Sequence, residues 1–148
     1  MSLFLKLNED MKTAMKGGDK ARLEAVRYAR SLAQNAEKEK QAKQPGATLT
    51  DDEVVAVLQK EAKRRKEALA LFRQGGRADL VEKEEADLAV ISEYIPKELS
   101  IEELVQMVEG LQGQGAKDYN TLMRETMKLV KGRADGKTVG EVVKKTLG

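Results

Sequence analysis

The chain of 148 residues contains no cysteine, no histidine and no tryptophan. Without thiols there can be no disulfide framework, no thiolate zinc site and no cysteine nucleophile. Without imidazole there is no histidine-based triad. A catalyst built from this chain would have to work with carboxylates, lysine, serine, threonine or tyrosine alone. Aromatic residues make up only 3%, and the aliphatic and alanine content favours helices over a β-sandwich. Long apolar runs are missing too. The start, Met1 to Lys6, meets a charge too early for a signal-peptide apolar region, and no later stretch approaches a membrane span. No membrane partner is expected, and the cytoplasm is the expected compartment.

What is present reads as helices cut by glycine and proline. The first is expected over residues 2–16, with Leu3, Leu7, Met11 and Ala14/Met15 in one stripe. Gly17-Gly18 ends it, and Asp19 offers an N-cap to the second. That helix carries Leu23, Val26, Arg30 and Ala33 on one face, passes into the polar tract 37–44 and stops at Pro45-Gly46. Thr50-Asp51-Asp52-Glu53 is a capping box that opens the third helix. Its stripe is Val54, Val57/Leu58, Ala62, Arg65, Leu69 and Phe72. Gly75-Gly76 closes it, and a fourth follows through Leu80, Glu84, Leu88, Ile91 and Ile95, giving an antiparallel hairpin.

Pro96 must end that fourth helix and marks the expected domain boundary. Behind it come a second capping box, Ser100 to Glu103, and a hydrophobic staple of Leu99 and Leu104. Three short helices fit over 100–112, 119–131 and 138–147, the last opening on a third box, Thr138 to Glu141. Their expected core is Leu104, Val108, Leu111, Leu122, Met123, Met127, Val130, Val139, Val142, Val143 and Leu147. The fold class is therefore all-α, with a larger helical bundle over 1–96 and a three-helix tail over 97–148.

Net charge is only +2, so the distribution matters more than the total. Residues 1–43 are net +4, residues 44–96 net −3, residues 97–116 net −3 and residues 117–148 net +4. Of the two segments at +4, the last is the more concentrated. Arg124, Lys128 and Lys131 are spaced i, i+4, i+7 and should share a face, which Arg133 and Lys137 extend and Lys144 and Lys145 flank. A helix start at Thr138 would add free backbone N–H groups and a positive dipole end. Two readings stand: cations that solvate an amphipathic helix, or a site for a phosphate backbone. With Tyr119 the only aromatic in the tail, contacts to backbone and shape are expected over stacked bases.

The run Lys63-Arg64-Arg65-Lys66 is no patch, because four successive helical residues sweep about 300° around the axis. Arg65 falls on the apolar stripe, as do Arg30 and Glu84. The hairpin brings Arg65 within about a turn of Glu84, which predicts a structural Arg65–Glu84 ion pair; a pocket lined by these charges is the alternative. The acidic clusters 51–53 and 82–85 fit helix starts and solvated faces. No catalytic residue, metal ligand or cofactor site emerges.

In Leu7 to Lys16, Asp19 to Leu23, Arg77 to Leu80, Tyr94 to Leu104, Met123-Arg124, Val130 to Lys137 and Val142 to Leu147, the chain resembles the YqeY-like family. The tail of that family is similar to the C-terminal domain of the B subunit of the glutamyl/aspartyl-tRNA amidotransferase. The order and spacing of these segments cover almost the whole chain. One departure is Asn120, where the family usually has glycine. The resemblance implies a four-helix N-terminal bundle, a three-helix tail and tRNA contact by the tail. It implies no transamidation chemistry, because the amidotransferase's reacting sites lie outside its tail. The expected function is a tRNA-binding accessory module without catalysis. The competing reading is a helical adaptor docking on amidotransferase subunits or an aminoacyl-tRNA synthetase.

Overall fold

The computed structural model describes residues 2–148, and the described residues form seven helices and no strand. They fall into two compact units, residues 1–96 and 97–148. The first holds α1 (Leu3–Lys16), α2 (Lys20–Lys43), α3 (Asp51–Gln74) and α4 (Ala78–Ser92). The second holds α5 (Ile101–Gly113), α6 (Tyr119–Val130) and α7 (Gly136–Leu147).

In the first unit α1 packs on α2 and α3, and α2, α3 and α4 pack on one another. The stripes meet around Leu7, Val26, Ala29, Val54, Leu58, Ala62 and Ile91, all essentially inaccessible to solvent. Alanines at 25, 29 and 33 let α2 lie close to its neighbours. The helix starts are capped as the polar residues predict: Ser2 Oγ accepts from Leu5 N–H, Asp19 from Arg22 N–H, and the Thr50–Glu53 box closes in both directions. The α3–α4 turn closes through Arg77 N–H to Phe72 O at 3.0 Å. It needs Gly76, whose φ of 67° lies in the left-handed region.

Three details refine the sequence reading. The polar tract is helical to Lys43, with Gln44 as the C-cap just before Pro45-Gly46. Its polar side chains hold the following loop: Lys40 Nζ donates to Thr48 O at 2.9 Å and to Glu53 Oε1 at 2.6 Å, and Glu37 accepts from Leu49 N–H. Met15 is about half exposed, leaving Ala14 as the buried residue at that point of the α1 stripe. α4 ends at Ser92, before Ile95 as Pro96 requires, and Tyr94 beyond it lies in the core, 5% exposed, and donates its hydroxyl to Asp10 Oδ2 at 2.5 Å.

In the second unit α5, α6 and α7 all touch one another around Leu104, Val108, Leu122, Val130, Val139, Val142 and Val143. Leu99 joins this core beside Leu104, as a staple should. The Ser100 box is one-sided: Ser100 Oγ accepts from Glu103 N–H, and the Glu103 carboxylate takes the Ser100 hydroxyl at 3.2 Å. Met127 and Leu147, expected in the core, are 39% and 40% exposed. Thr126 is fully buried one turn from Leu122 and Val130, since a three-helix unit of short helices covers only a narrow arc of each.

Candidate nucleic-acid interface

The third capping box does not form. Asp135, not Thr138, is the N-cap of α7: its carboxylate accepts Thr138 N–H at 2.8 Å and Thr138 becomes the third residue of the helix. An Asp three residues upstream matches the same capping logic as Thr138 and adds a negative charge at the positive end of the helix dipole. The phosphate expected at Thr138 would therefore meet a carboxylate already holding that N-terminus.

The expected α6 face is broken by the same region. α6 stops at Val130, and Lys131 adopts the left-handed conformation with φ 46°. It therefore leaves the i, i+4, i+7 series, and only Arg124 and Lys128 remain on one face. Glu125 sits between them, with Oε1 3.4 Å from Arg124 Nε and 3.4 Å from Lys128 Nζ. The Lys128 hydrogen bond, with Arg124 behind it, holds the Glu125 carboxyl below the usual carboxylate range. Both cations are about two-thirds exposed, so these pairs contribute little to stability and leave the cations available.

Arg133 has a structural task. Its Nε donates to Lys97 O at 2.8 Å, and its own carbonyl accepts Leu99 N–H at 2.9 Å. These two bonds tie the α6–α7 loop to the segment preceding α5. Lys137, Lys144 and Lys145 are exposed on α7, with Glu141 among them. Lys137 and Lys144, seven apart, share a face.

Arg65 is only 14% exposed and lies among three carboxylates. Nη1 donates to Glu84 Oε2 and to Asp87 Oδ2, each at 3.1 Å, and Nε lies 3.3 Å from Glu61 Oε1 without hydrogen-bond geometry. Its guanidinium also stands 5.2 Å from the centroid of the Tyr28 ring. The sequence reading named Glu84 and missed Glu61, Asp87 and Tyr28. Glu61, 6% exposed, was the findable one: it lies three residues after Leu58 and four before Arg65, on the stripe. Its second partner is Arg64, at 2.7 Å, which spans from the buried carboxylate to the Tyr28 hydroxyl. The adjoining cleft, about 210 Å³, is lined by Glu24, Tyr28, Lys83 and Asp87 beside Arg65. Arg30, the other charge on a stripe, donates Nε to Asn8 Oδ1 and lies 6.0 Å from the Phe4 ring.

The described residues thus form two helical units, a first cored by aliphatic residues around one ionic cluster and a second presenting exposed lysines and arginines. The family model of the YqeY-like proteins matches residues 4–147, and the chain belongs to that family. A protein of Pyrenophora tritici-repentis named altered inheritance of mitochondria protein 41, mitochondrial, is 33% identical, with 97% of this chain and 80% of that protein covered. A Schizosaccharomyces pombe protein described as uncharacterized is 41% identical over 51 residues, 34% of this chain and 42% of its own length. Among the described residues, no helix is long and apolar enough to cross a membrane.

Proposed function

We propose that this YqeY-like protein is a tRNA-binding accessory module with no chemistry of its own, and that the unit 97–148 makes the contact. The observation that carries the reading is the net charge of +4 over residues 117–148, held almost wholly on side chains that the fold leaves at the surface. Arg133 is in use by the fold, and Arg124 and Lys128 pair with Glu125 at the surface. The resemblance of the tail to the amidotransferase B subunit supports the same reading. Four carboxylates of the first unit have structural partners: Glu53 completes a cap, and Glu61, Glu84 and Asp87 surround Arg65. The cytoplasm remains the compartment we propose; the mitochondrial designation belongs to the Pyrenophora relative.

Phosphate contacts give affinity through counterion release, with a slope of about 0.7–0.9 in log K against log salt per contact. Bulk tRNA should bind the unmodified protein steeply with salt and with little sequence discrimination. Replacing Lys128, Lys137 and Lys144 together by alanine should lower that slope by about two to three. Replacing Lys63 and Lys66 should change it much less. Arg133 is left out of the set because losing its bond to Lys97 O would confound binding with folding. No binding to tRNA at low salt would end this reading.

One observation favours the adaptor instead. At the α3–α4 turn, Phe72 and Val81 floor a cleft of about 340 Å³, and the neighbouring Leu71 is 67% exposed. Apolar surface of this kind fits a protein partner such as an amidotransferase subunit or an aminoacyl-tRNA synthetase. Capture of purified amidotransferase subunits that is lost on Phe72→Ser would select it.

A further inference from the structure

We propose that the cleft at the α3–α4 turn is a self-association surface, filled by the same cleft of a second copy of this chain across a two-fold axis. The proposal is independent of the tRNA reading and draws only on the first unit.

The hairpin runs on past the core that anchors it. On α3 the buried cluster uses Val54, Leu58 and Ala62, and on α4 it uses Ile91 with Leu88 and Val90 packed against it. The rest of α3 and the start of α4 give that cluster no member. Leu69 is still buried, 6% exposed, but one turn further on Phe72 is only half-buried. With Val81, also half-buried, it floors the cleft of about 340 Å³. A helix buries its apolar stripe only against another element, and here the flank of the hairpin lacks one.

The rim carries both signs in equal number. Arg73 and Arg77 line it from the end of α3 and the turn, and Glu82 and Glu85 line it from α4. Arg73 Nη2 lies 2.7 Å from Glu85 Oε1, with the two side chains 58% and 51% exposed. Arg77 Nη2 lies 3.4 Å from Asp79 Oδ2, and both of these are exposed as well. Pairs this open to water contribute little to the fold, so they are free to be exchanged with those of a neighbour.

That pattern argues the occupant. A partner of one sign, RNA included, meets like charge on half of the rim. A second copy need not: an antiparallel two-fold docking sets Phe72 and Val81 against their own counterparts and brings Arg73 of each copy to Glu85 of the other. Each pair is then made twice, in a drier place where a charge-assisted hydrogen bond is stronger. Two hairpins together supply four helices, the layer that one hairpin lacks. A contact centred on one small cleft falls at the low end of specific interfaces, so the dimer is weak and reversible. Leu71 stands outside it. Although 67% exposed, it lies about 160° around α3 from Arg73 and does not line the cleft.

Sedimentation equilibrium on the full chain, up to about 1 mM, reads the assembly directly. The parent should shift from monomer to dimer as concentration rises. Phe72→Ser should remove the dimer and Leu71→Ser should leave it. Because Phe72→Ser also loosens the hairpin, the exposed rim supplies a second pair of variants. Arg73→Glu and Glu85→Arg each set like charges opposite one another twice, and each alone should raise the dissociation constant at least about tenfold. Mixed in equal amounts, the two should restore a dimer with one copy of each. A parent that stays monomeric over the whole range overturns the proposal. Capture of an amidotransferase subunit by that monomer, lost on Phe72→Ser, would give the cleft to the adaptor instead. A dimer that survives in Phe72→Ser and in both charge swaps, or that is lost in Leu71→Ser, lies on another face and overturns it too. Swapped variants that stay monomeric when mixed would overturn the pairing of Arg73 with Glu85 across the axis. Binding of tRNA by the parent, or its failure, bears on none of these outcomes.

Discussion

Arg65 shows how one side chain can be read correctly in position and incompletely in chemistry. A guanidinium on an apolar stripe must find compensation, because an unpaired charge that is largely buried costs several kcal/mol. Here the compensation is oversupplied: Glu61, Glu84 and Asp87 all reach it, and Tyr28 covers it. Truncation therefore takes the guanidinium from Glu84 and Asp87 and leaves Glu61 to Arg64. Arg65→Ala should cost about 2–4 kcal/mol in chemical denaturation, toward the lower side of buried-pair losses because the cluster keeps some solvent contact. Arg64 is 68% exposed on its side chain, and its replacement should cost far less. Comparable losses at 64 and 65 would show that Arg65 is not the centre of the cluster.

At the level of elements, helix termini do more than stop and start helices in this chain. Glu53 returns to the Thr50 backbone N–H at 3.1 Å and also receives Lys40 Nζ from the end of α2. It therefore couples the start of one long helix to the finish of another. The Lys40 hydrogen bond is the main cause that holds the Glu53 carboxyl below its usual range, with the Thr50 N–H second. A folded value below the unfolded one means stability that is whole above the ordinary carboxylate range and is lost as pH falls through the folded value. Glu53→Gln should therefore be less stable than the parent near neutral pH, and the gap should narrow on acidification. Parallel stability curves for the two proteins from neutral to acid pH would show that the carboxylate charge is not what joins α2 to α3.

On the scale of the whole molecule, the two cores draw on separate stretches of chain. The first uses residues from Leu7 to Tyr94 with Ile95 packed against it, and the second uses residues from Leu99 to Val143. Among the described residues, no buried apolar residue is common to the two clusters. We propose that each unit folds alone, although 52 residues is close to the lower limit for an unaided domain. Residues 97–148 expressed separately should show a helical circular-dichroism spectrum and a cooperative melt. A broad melt with little helix would mean that the tail needs the rest of the chain.

The sequence by itself determined the fold class, the number of helices and most of their termini. These follow from interactions among residues a few positions apart: 3.6-residue periodicity, Ser, Thr and Asp caps, and glycine or proline stops. It placed Arg65 on a stripe and in reach of Glu84 for the same reason. The tertiary structure decided what those local rules leave degenerate. Two capping residues, Asp135 and Thr138, compete three positions apart, and in the folded tail Asp135 takes the cap. Termination of α6 at Val130 takes Lys131 off its face. The approach of Tyr119 and Met123 to Gly140 exists only once α6 and α7 touch. A contact belongs to two helices at once, and no spacing within either one encodes it.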